Sequence, residues 1–134
     1  MDLDKYAFKN YKLNPWALKN IRSSFGRETV IHDNKYPDHI VGINRPELSN
    51  RVFESQDSIN NLRSISSPGI KKLMFQKFDE IEQRRGKDFD LIAIEGATII
   101  ESGTAKFFDE LWVLTLDKES AFRRVQVRNP NLSD

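Results

Sequence analysis

The sequence predicts an α/β domain that carries a helical insertion. Helix caps and apolar residues at helical spacing fill most of the chain from about residue 13 to residue 87. The pattern then changes to two short apolar runs, residues 91–94 and 111–116, which lack alternation. Such runs are typical of strands buried on both faces of a parallel sheet. A last helix from Lys118 to about Arg128 is expected to end ahead of Pro130.

Length and composition limit the function classes. A chain of 134 residues, 38% of them hydrophobic and 31% charged, has the size of one domain. With 21 Lys and Arg against 20 Asp and Glu, the net charge of +1 favours neither nucleic acid nor membrane as a partner, so any anion site must be local. No run is long enough to span a bilayer, and the first residues lack a charged-then-apolar pattern, so we do not expect secretion by a cleaved signal. We expect a cytoplasmic, or else organellar, protein.

The cysteine and histidine content of the chain argues against a metal site made by the protein alone. Cysteine is absent, which excludes disulfides, thiolate nucleophiles and Cys-based zinc sites. His32 and His39 have no second ligand at metal spacing, and we read both as surface-loop residues.

The first predicted helix has a start signal and a stop signal. Asn14 is the N-cap, Pro15 takes the first helical position, and Gly26 follows the last turn. Its buried face is expected to hold Trp16, Ile21 and Phe25, with Ala17 and Leu18 beside them.

Four further features complete the helical segment. Residues 27–43 are rich in turn formers and read as a connector. A second helix starts at Asn44-Arg45-Pro46 and runs to about Phe53, and Ser55 can cap another. Ser67-Pro68 is expected to open a further helix that Gly86 stops, with one apolar face formed by Ile70, Leu73, Met74, Phe78 and Ile81.

Several short motifs occur in a specific order: Asp2-Leu3-Asp4, Ile43-Asn44-Arg45 with 51–53, Ser67-Pro68, residues 95–103, and Arg124 with Arg128 ahead of 129–133. This order resembles the dephospho-CoA kinase family, most closely the kinase half of the eukaryotic bifunctional CoA synthase. Each motif is weak alone, but their order and spacing are specific. Departures are Ser67 for the family's usual His, Glu95 for Asp, and Ala97 where bacterial members have Pro.

The resemblance implies a P-loop kinase-like fold with a parallel sheet. Residues 1–12 and 88–134 would form part of the nucleotide-kinase core and the start of a mobile lid, and residues 13–87 the helical insertion that binds dephospho-CoA. It also implies an enzyme that uses ATP and Mg²⁺ to phosphorylate the ribose 3′-hydroxyl of dephospho-CoA, the last step of coenzyme A biosynthesis.

One element of the family is missing from the sequence. No stretch matches the phosphate-binding loop G-x-x-x-x-G-K-[ST], so the chain resembles the middle of the enzyme. We therefore expect an incomplete sheet, an open sheet edge that self-association or a partner chain would cover, and no kinase activity from this chain alone.

Asp4 and Asp2 are the candidate catalytic residues. By resemblance, Asp4 orients and deprotonates the ribose hydroxyl, and Asp2 lies beside it near the metal. The alternative is that two acids near a helix start simply cap the helix that begins around Lys5.

Arg124 and Arg128 are the candidate ATP-binding residues of the lid. They lie four residues apart on one helix face, where two guanidinium groups can grip a polyphosphate. The alternative is a solvated face paired with Glu119 or Asp117, which is the reading preferred for Arg123.

Arg45 and Glu101 are the candidate substrate-binding residues. A cation at a helix start opposes the helix dipole, so Arg45 is assigned to an anionic group of dephospho-CoA. Glu101 follows an apolar strand, where open α/β sheets place ligand contacts, although it could equally cap a helix near Thr104.

Two functions remain open from the sequence. The first is the kinase described above. The second is a binding or scaffold protein that descends from such a kinase and has lost its nucleotide site.

Overall fold

A computed structural model describes residues 1–84 and 90–128, which form five α-helices and a two-stranded sheet. The helices are α1 (Leu3–Leu13), α2 (Pro15–Phe25), α3 (Arg45–Val52), α4 (Gln56–Gln83) and α5 (Lys118–Arg128). The strands are β1 (Val30–His32) and β2 (Ile40–Ile43), and short 3₁₀ turns cover Arg27–Thr29 and Ala105–Phe107. Within these residues, no helix has the length and apolar composition needed to cross a membrane.

Helix α2 lies at the centre of the hydrophobic core. The Asn14 carboxamide oxygen accepts from the Ala17 N–H at 3.2 Å, and Gly26 ends the helix with φ of 103°, as the caps predicted. The buried core joins α2 to the hairpin, α3 and α4 through Ala17, Ile21, Phe25, Val30, Leu48, Val52 and Ile65. Trp16 was wrongly placed in this core, because it points well away from the face shared by Ala17 and Ile21 and is 56% exposed.

Residues 30–43 form a hairpin after the 3₁₀ turn at Arg27–Thr29, so the prediction of residues 27–43 as a connector was wrong. Strands β1 and β2 pair antiparallel, and Val30 lies opposite Ile43. The Asp33 carboxylate accepts from the Lys35 and Tyr36 N–H groups and so closes the loop between the strands. Turn formers in the loop obscured the two short strands that flank it.

The two histidines belong to this hairpin. His39 is exposed in the loop, as predicted. His32 lies on β1 rather than in a loop, and its Nδ1 is 2.6 Å from the Pro37 carbonyl oxygen.

Helix α4 is continuous through Pro68, so the predicted helix start at Ser67-Pro68 was wrong. Ser55 caps it as predicted, since its hydroxyl oxygen accepts from the Ser58 N–H at 3.1 Å. Pro68 is exposed, while Ile65 and Met74 on either side of it are buried. Packing on both sides therefore stabilises one helix against the local cost of the proline. The predicted stop at Gly86 lies outside the described residues.

Helices α1 and α4 approach closely at Gly69. Asn10 of α1 is only 2% exposed, and its Oδ1 accepts from Asn14 Nδ2 at 3.1 Å. The Tyr11 hydroxyl is 2.8 Å from the Ser66 hydroxyl one turn away. A Cβ atom on Gly69 would lie 1.8 Å from Asn10 Oδ1, so only glycine fits this crossing.

The two predicted parallel strands are not strands in the described part of the chain. Residues 91–94 and 111–116 are largely exposed, including Leu91 at 82%, Trp112 at 85% and Leu114 at 99%. A strand buried on both faces needs neighbouring strands and covering helices, whereas these segments stay largely exposed and pair with described residues only where residues 1–3 meet 93–95. The α/β class holds only in a coarse sense, as helices with a small sheet and one isolated parallel bridge between Asp2 and Glu95.

Gly69→Ala should destabilise the chain by about 1–3 kcal/mol, because the new methyl group overlaps a buried, hydrogen-bonded Asn10 side chain. Urea unfolding followed by circular dichroism measures this change. Gly42→Ala is the matched control, since its Cβ would meet nothing closer than Ile31 Cδ1 at 3.7 Å. Equal free energies of unfolding for the two variants would contradict the close crossing.

Leu114→Ser should reduce self-association of the chain without lowering its unfolding temperature, because Leu114 belongs to an exposed apolar segment and packs against almost nothing. Size-exclusion chromatography with light scattering measures the associated fraction. Leu13→Ser, at an exposed leucine on α1, is the control and should leave that fraction unchanged. The prediction fails if both variants behave alike.

Candidate active site

A short parallel ladder brings the start of the chain against residues 93–95. The terminal ammonium of Met1 donates to the Ala93 carbonyl, Glu95 N–H donates to the Met1 carbonyl at 2.8 Å, and Leu3 N–H donates to the Glu95 carbonyl at 2.9 Å. Helix α1 begins at the end of this ladder. The ladder therefore places Asp4 next to Gly96 and the loop that follows.

Three segments meet around Asp4 and enclose a depression of about 90 Å³, which we call the Asp4 depression. Helix α1, helix α4 and the loop 96–104 each contribute to its lining, which consists of Leu3, Asp4, Ala7, Ser67, Ile70, Lys71, Gly96, Thr98, Ile99, Ser102 and Thr104. The Asp4 carboxylate is exposed, and within the described ranges it has no hydrogen-bond or ion-pair partner. It is therefore available to a ligand.

Asp2 caps helix α1, a structural role that Asp4 lacks. Its Oδ1 accepts from the N–H groups of Asp4 and Lys5 at 3.0 and 3.1 Å, and its Oδ2 lies 3.2 Å from Lys5 Nζ. The hydrogen bond from the Lys5 N–H and the Lys5 ammonium lower the pKa of Asp2 below its usual value. The capping alternative thus describes Asp2, which caps a helix that starts at Leu3.

The loop that carries Glu101 is a compact turn with its own hydrogen bonds. Ser102 N–H donates to the Thr98 carbonyl at 2.9 Å, and the Ser102 and Thr104 hydroxyl oxygens are 2.6 Å apart. Gly103 has φ of 65°, which suits glycine. Glu101 points outward and does not cap the 3₁₀ turn after Thr104, which has no side-chain cap.

Lys71 of α4 joins this loop to the helix and was not among the predicted site residues. Its Nζ donates to the Ser102 carbonyl at 2.9 Å. It also lines a second depression of about 560 Å³, the α4 depression, formed by Asn60, Arg63, Ser64, Ser67, Pro68, Lys71, Glu101 and Ser102. No local sequence signal marks Lys71, because a lysine on a helix is usually a solvated surface residue.

Arg45, the first residue of α3, contacts helix α1. Its guanidinium carbon is 3.5 Å from the centre of the Phe8 ring, and Phe8 follows Asp4 by one helical turn. Glu47 does not compensate Arg45, because its carboxylate pairs with Arg51 at 3.0 Å. The structure thus brings Arg45 to the helix that carries Asp4, while Arg45 lines neither depression described above.

Arg124 and Arg128 are not brought to the Asp4 depression. Both are exposed on α5, a helix that Asp117 caps and that buries none of its residues. Arg123 pairs with Glu119 at 2.6 Å, as the alternative for that residue predicted. Within the described residues, neither Arg124 nor Arg128 forms an ion pair or side-chain hydrogen bond.

Comparison with protein families gives one match that covers the chain. The family model described as dephospho-CoA kinase matches residues 1–134. The chain belongs to the dephospho-CoA kinase family. This confirms the resemblance drawn from its motifs.

Curated dephospho-CoA kinases from several bacteria are similar to the chain. The protein from Dehalococcoides mccartyi is 31% identical over 110 residues, which are 82% of this chain and 52% of that protein. Those from Geobacter sulfurreducens and Oceanobacillus iheyensis are 26% and 24% identical over 129 residues, each covering 96% of this chain and 60% of the relative. The chain thus spans between 52% and 60% of the length of these relatives.

The described residues that line the Asp4 depression offer Mg²⁺ a single free carboxylate. No three His, Asp or Glu side chains in the described residues come together as a metal site. Mg²⁺ in kinases is held by one or two carboxylates together with the substrate phosphates. The free Asp4 carboxylate fits that donor set, whereas one oxygen of Asp2 is occupied by two backbone N–H groups.

The stability contribution of Asp2 should disappear in acid. Its pKa is lowered on folding, so the contribution is fully present above the unfolded pKa of about 3.9 and is lost as the pH falls through the lower, folded value. Asp2→Asn keeps an N-cap oxygen without the charge. Thermal unfolding from neutral pH to about pH 2 should show wild type losing stability relative to Asp2→Asn below about pH 4.

Asp38→Asn provides the control for this measurement, because Asp38 is exposed and has no side-chain partner in the described residues. Its curve should run parallel to that of wild type. A parallel curve for Asp2→Asn as well would show that the cap does not depend on the charge.

Proposed function

We propose that this protein acts in ATP-dependent phosphorylation of the ribose 3′-hydroxyl of dephospho-CoA. The observation that carries the proposal is the parallel ladder between residues 1–3 and 93–95, since it sets a free Asp4 carboxylate against α4 and the loop 96–104. Family membership supports the reaction class. No observation favours the binding-protein alternative.

Asp4 would serve as the general base. Transfer of a phosphoryl group requires an oriented hydroxyl and an acceptor for its proton. An exposed carboxylate without a protein partner can accept that hydrogen bond and take the proton as the new O–P bond forms. Asp4 would also offer a ligand to Mg²⁺, and Asp2 would support it from the adjacent cap position.

The remaining groups would hold the two substrates. When bound, Mg²⁺ neutralises charge on the phosphates during transfer. We propose that Arg124 and Arg128 bind the ATP phosphates, and that Arg45 and Glu101 bind dephospho-CoA.

The proposal also divides the chain into two units. Residues 13–87 bind dephospho-CoA, while residues 1–12 and 88–134 belong to the nucleotide-kinase core and lid. Residues of α1 pack on α4, so the two units share contacts. The cytoplasmic or organellar location and the partner chain at the sheet edge stay predictions.

Asp4→Asn in the full-length gene product should lower turnover by about 10²- to 10⁴-fold, because the side chain keeps its size but no longer accepts a proton. ATP binding should change little. A coupled assay of ATP-dependent formation of coenzyme A measures turnover. A merely structural Asp4 would leave turnover nearly unchanged, since Asp4 is not the cap and its side chain forms no hydrogen bond or ion pair within the described residues.

The matched control is Asp38→Asn, which removes a carboxylate from the hairpin loop and should retain wild-type turnover. Asp4→Asn turnover above about a tenth of wild type would contradict the general-base role. Tight binding of dephospho-CoA by a wild-type protein without any turnover would instead support the binding-protein alternative.

A further inference from the structure

Helix α4 presents a column of polar residues beside the candidate active site. Arg63, Ser67 and Lys71 are spaced by four residues, so their side chains lie on one helix face. All three line the α4 depression, and Ser67 and Lys71 also line the Asp4 depression. Lys71 therefore lies at the boundary between the two depressions.

The two cations of this column have only neutral partners among the described residues. Lys71 Nζ donates to the Ser102 carbonyl, which uses one of its three hydrogens. Arg63 Nη1 donates to Asn60 Oδ1 at 2.9 Å. Neither forms an ion pair with Glu101, the acid that lines the same depression. Two partly buried positive charges are thus available to an anion.

We propose that Lys71 and Arg63 bind the diphosphate of the nucleotide acceptor and so position its ribose beside Asp4. This inference rests on the proposed function, because dephospho-CoA carries a diphosphate next to its adenosine. An ammonium and a guanidinium are the groups that bind phosphate oxygens most strongly. Lys71 is the more important of the two, since an anion held at the boundary of the depressions leaves the adjoining ribose next to Asp4.

The negative charge of Glu101 weakens the attraction of the α4 depression for anions. Its carboxylate lines the rim without a partner in the described residues, so it opposes a bound anion. Glu101→Gln should therefore strengthen binding of a diphosphate. The gain is expected for inorganic pyrophosphate, because the proposed contact of Glu101 with dephospho-CoA involves a group other than the diphosphate.

Isothermal titration of the 134-residue chain with dephospho-CoA and, separately, with inorganic pyrophosphate tests the proposal. Lys71→Gln keeps a donor for the Ser102 carbonyl but removes the charge. It should weaken the binding of both ligands about tenfold or more. Lys71→Arg should stay near wild type. Lys72→Gln makes the same charge change at the next, exposed lysine, which lines neither depression, and should also stay near wild type.

The outcomes separate this inference from the proposed function. Wild-type binding of pyrophosphate that Lys71→Gln weakens, without binding of dephospho-CoA, would support the anion site and contradict the proposed acceptor. Binding of dephospho-CoA that Lys71→Gln and Lys72→Gln weaken equally would overturn the inference alone. If the wild-type chain binds neither ligand, both the inference and the proposed function are overturned.

If the Lys71→Gln variant does not fold, Arg63→Gln and Lys71→Arg replace it. Weaker binding by Arg63→Gln together with retained binding by Lys71→Arg supports the site. Any other pair of results overturns the inference.

Discussion

The close crossing of α1 and α4 at Gly69 is the constraint on which the rest of the site depends. Asp4 lies at the start of α1, and Ser67 and Lys71 lie on α4 beside that crossing. A bulkier residue at 69 would push Asn10 and its helix away from α4. The absence of a side chain at position 69 therefore sets how near the carboxylate lies to the polar column of α4.

Two long-range contacts add the third wall of the site. The parallel ladder ties residues 93–95 to the start of α1, and the bond from Lys71 to the Ser102 carbonyl ties the following loop to α4. Each contact joins segments far apart in sequence. A loop held at both ends in this way keeps its shape without a strand or helix of its own, which suits a ligand-binding position.

Local sequence signals predicted the helix caps well and the sheet poorly. Asn14 and Ser55 were recognised as caps because a cap depends on residues within one turn. Pro68 misled the prediction, since its local cost is outweighed by packing of Ile65 and Met74 on distant segments. Residues 91–94 have the composition of a buried parallel strand, but a strand also needs partners, and the described residues supply only the short ladder to residues 1–3.

The candidate site was predictable to a different extent for each residue. Asp4 and the loop with Glu101 were predicted as site residues from the order of motifs. The structure does bring Asp4 and that loop together. Lys71 was missed, because a lysine on a helix looks ordinary until its bond to a carbonyl in the loop 96–104 is seen. Arg45 was assigned a ligand because it opposes a helix dipole, yet its contact with Phe8 gives it a protein partner as well.

The acidic and the arginine parts of the proposed site differ in how firmly they are held. Asp4 is fixed by the ladder and by the packing of α1 on α4, whereas α5 buries none of its residues. A helix with so few buried contacts can change position at little cost in free energy. In the function proposed above, such a change in the position of α5 would bring Arg124 and Arg128 to the ATP phosphates. Binding of ATP, rather than the fold of the described residues, would supply the free energy for that movement, because a ligand can stabilise only the arrangement it contacts.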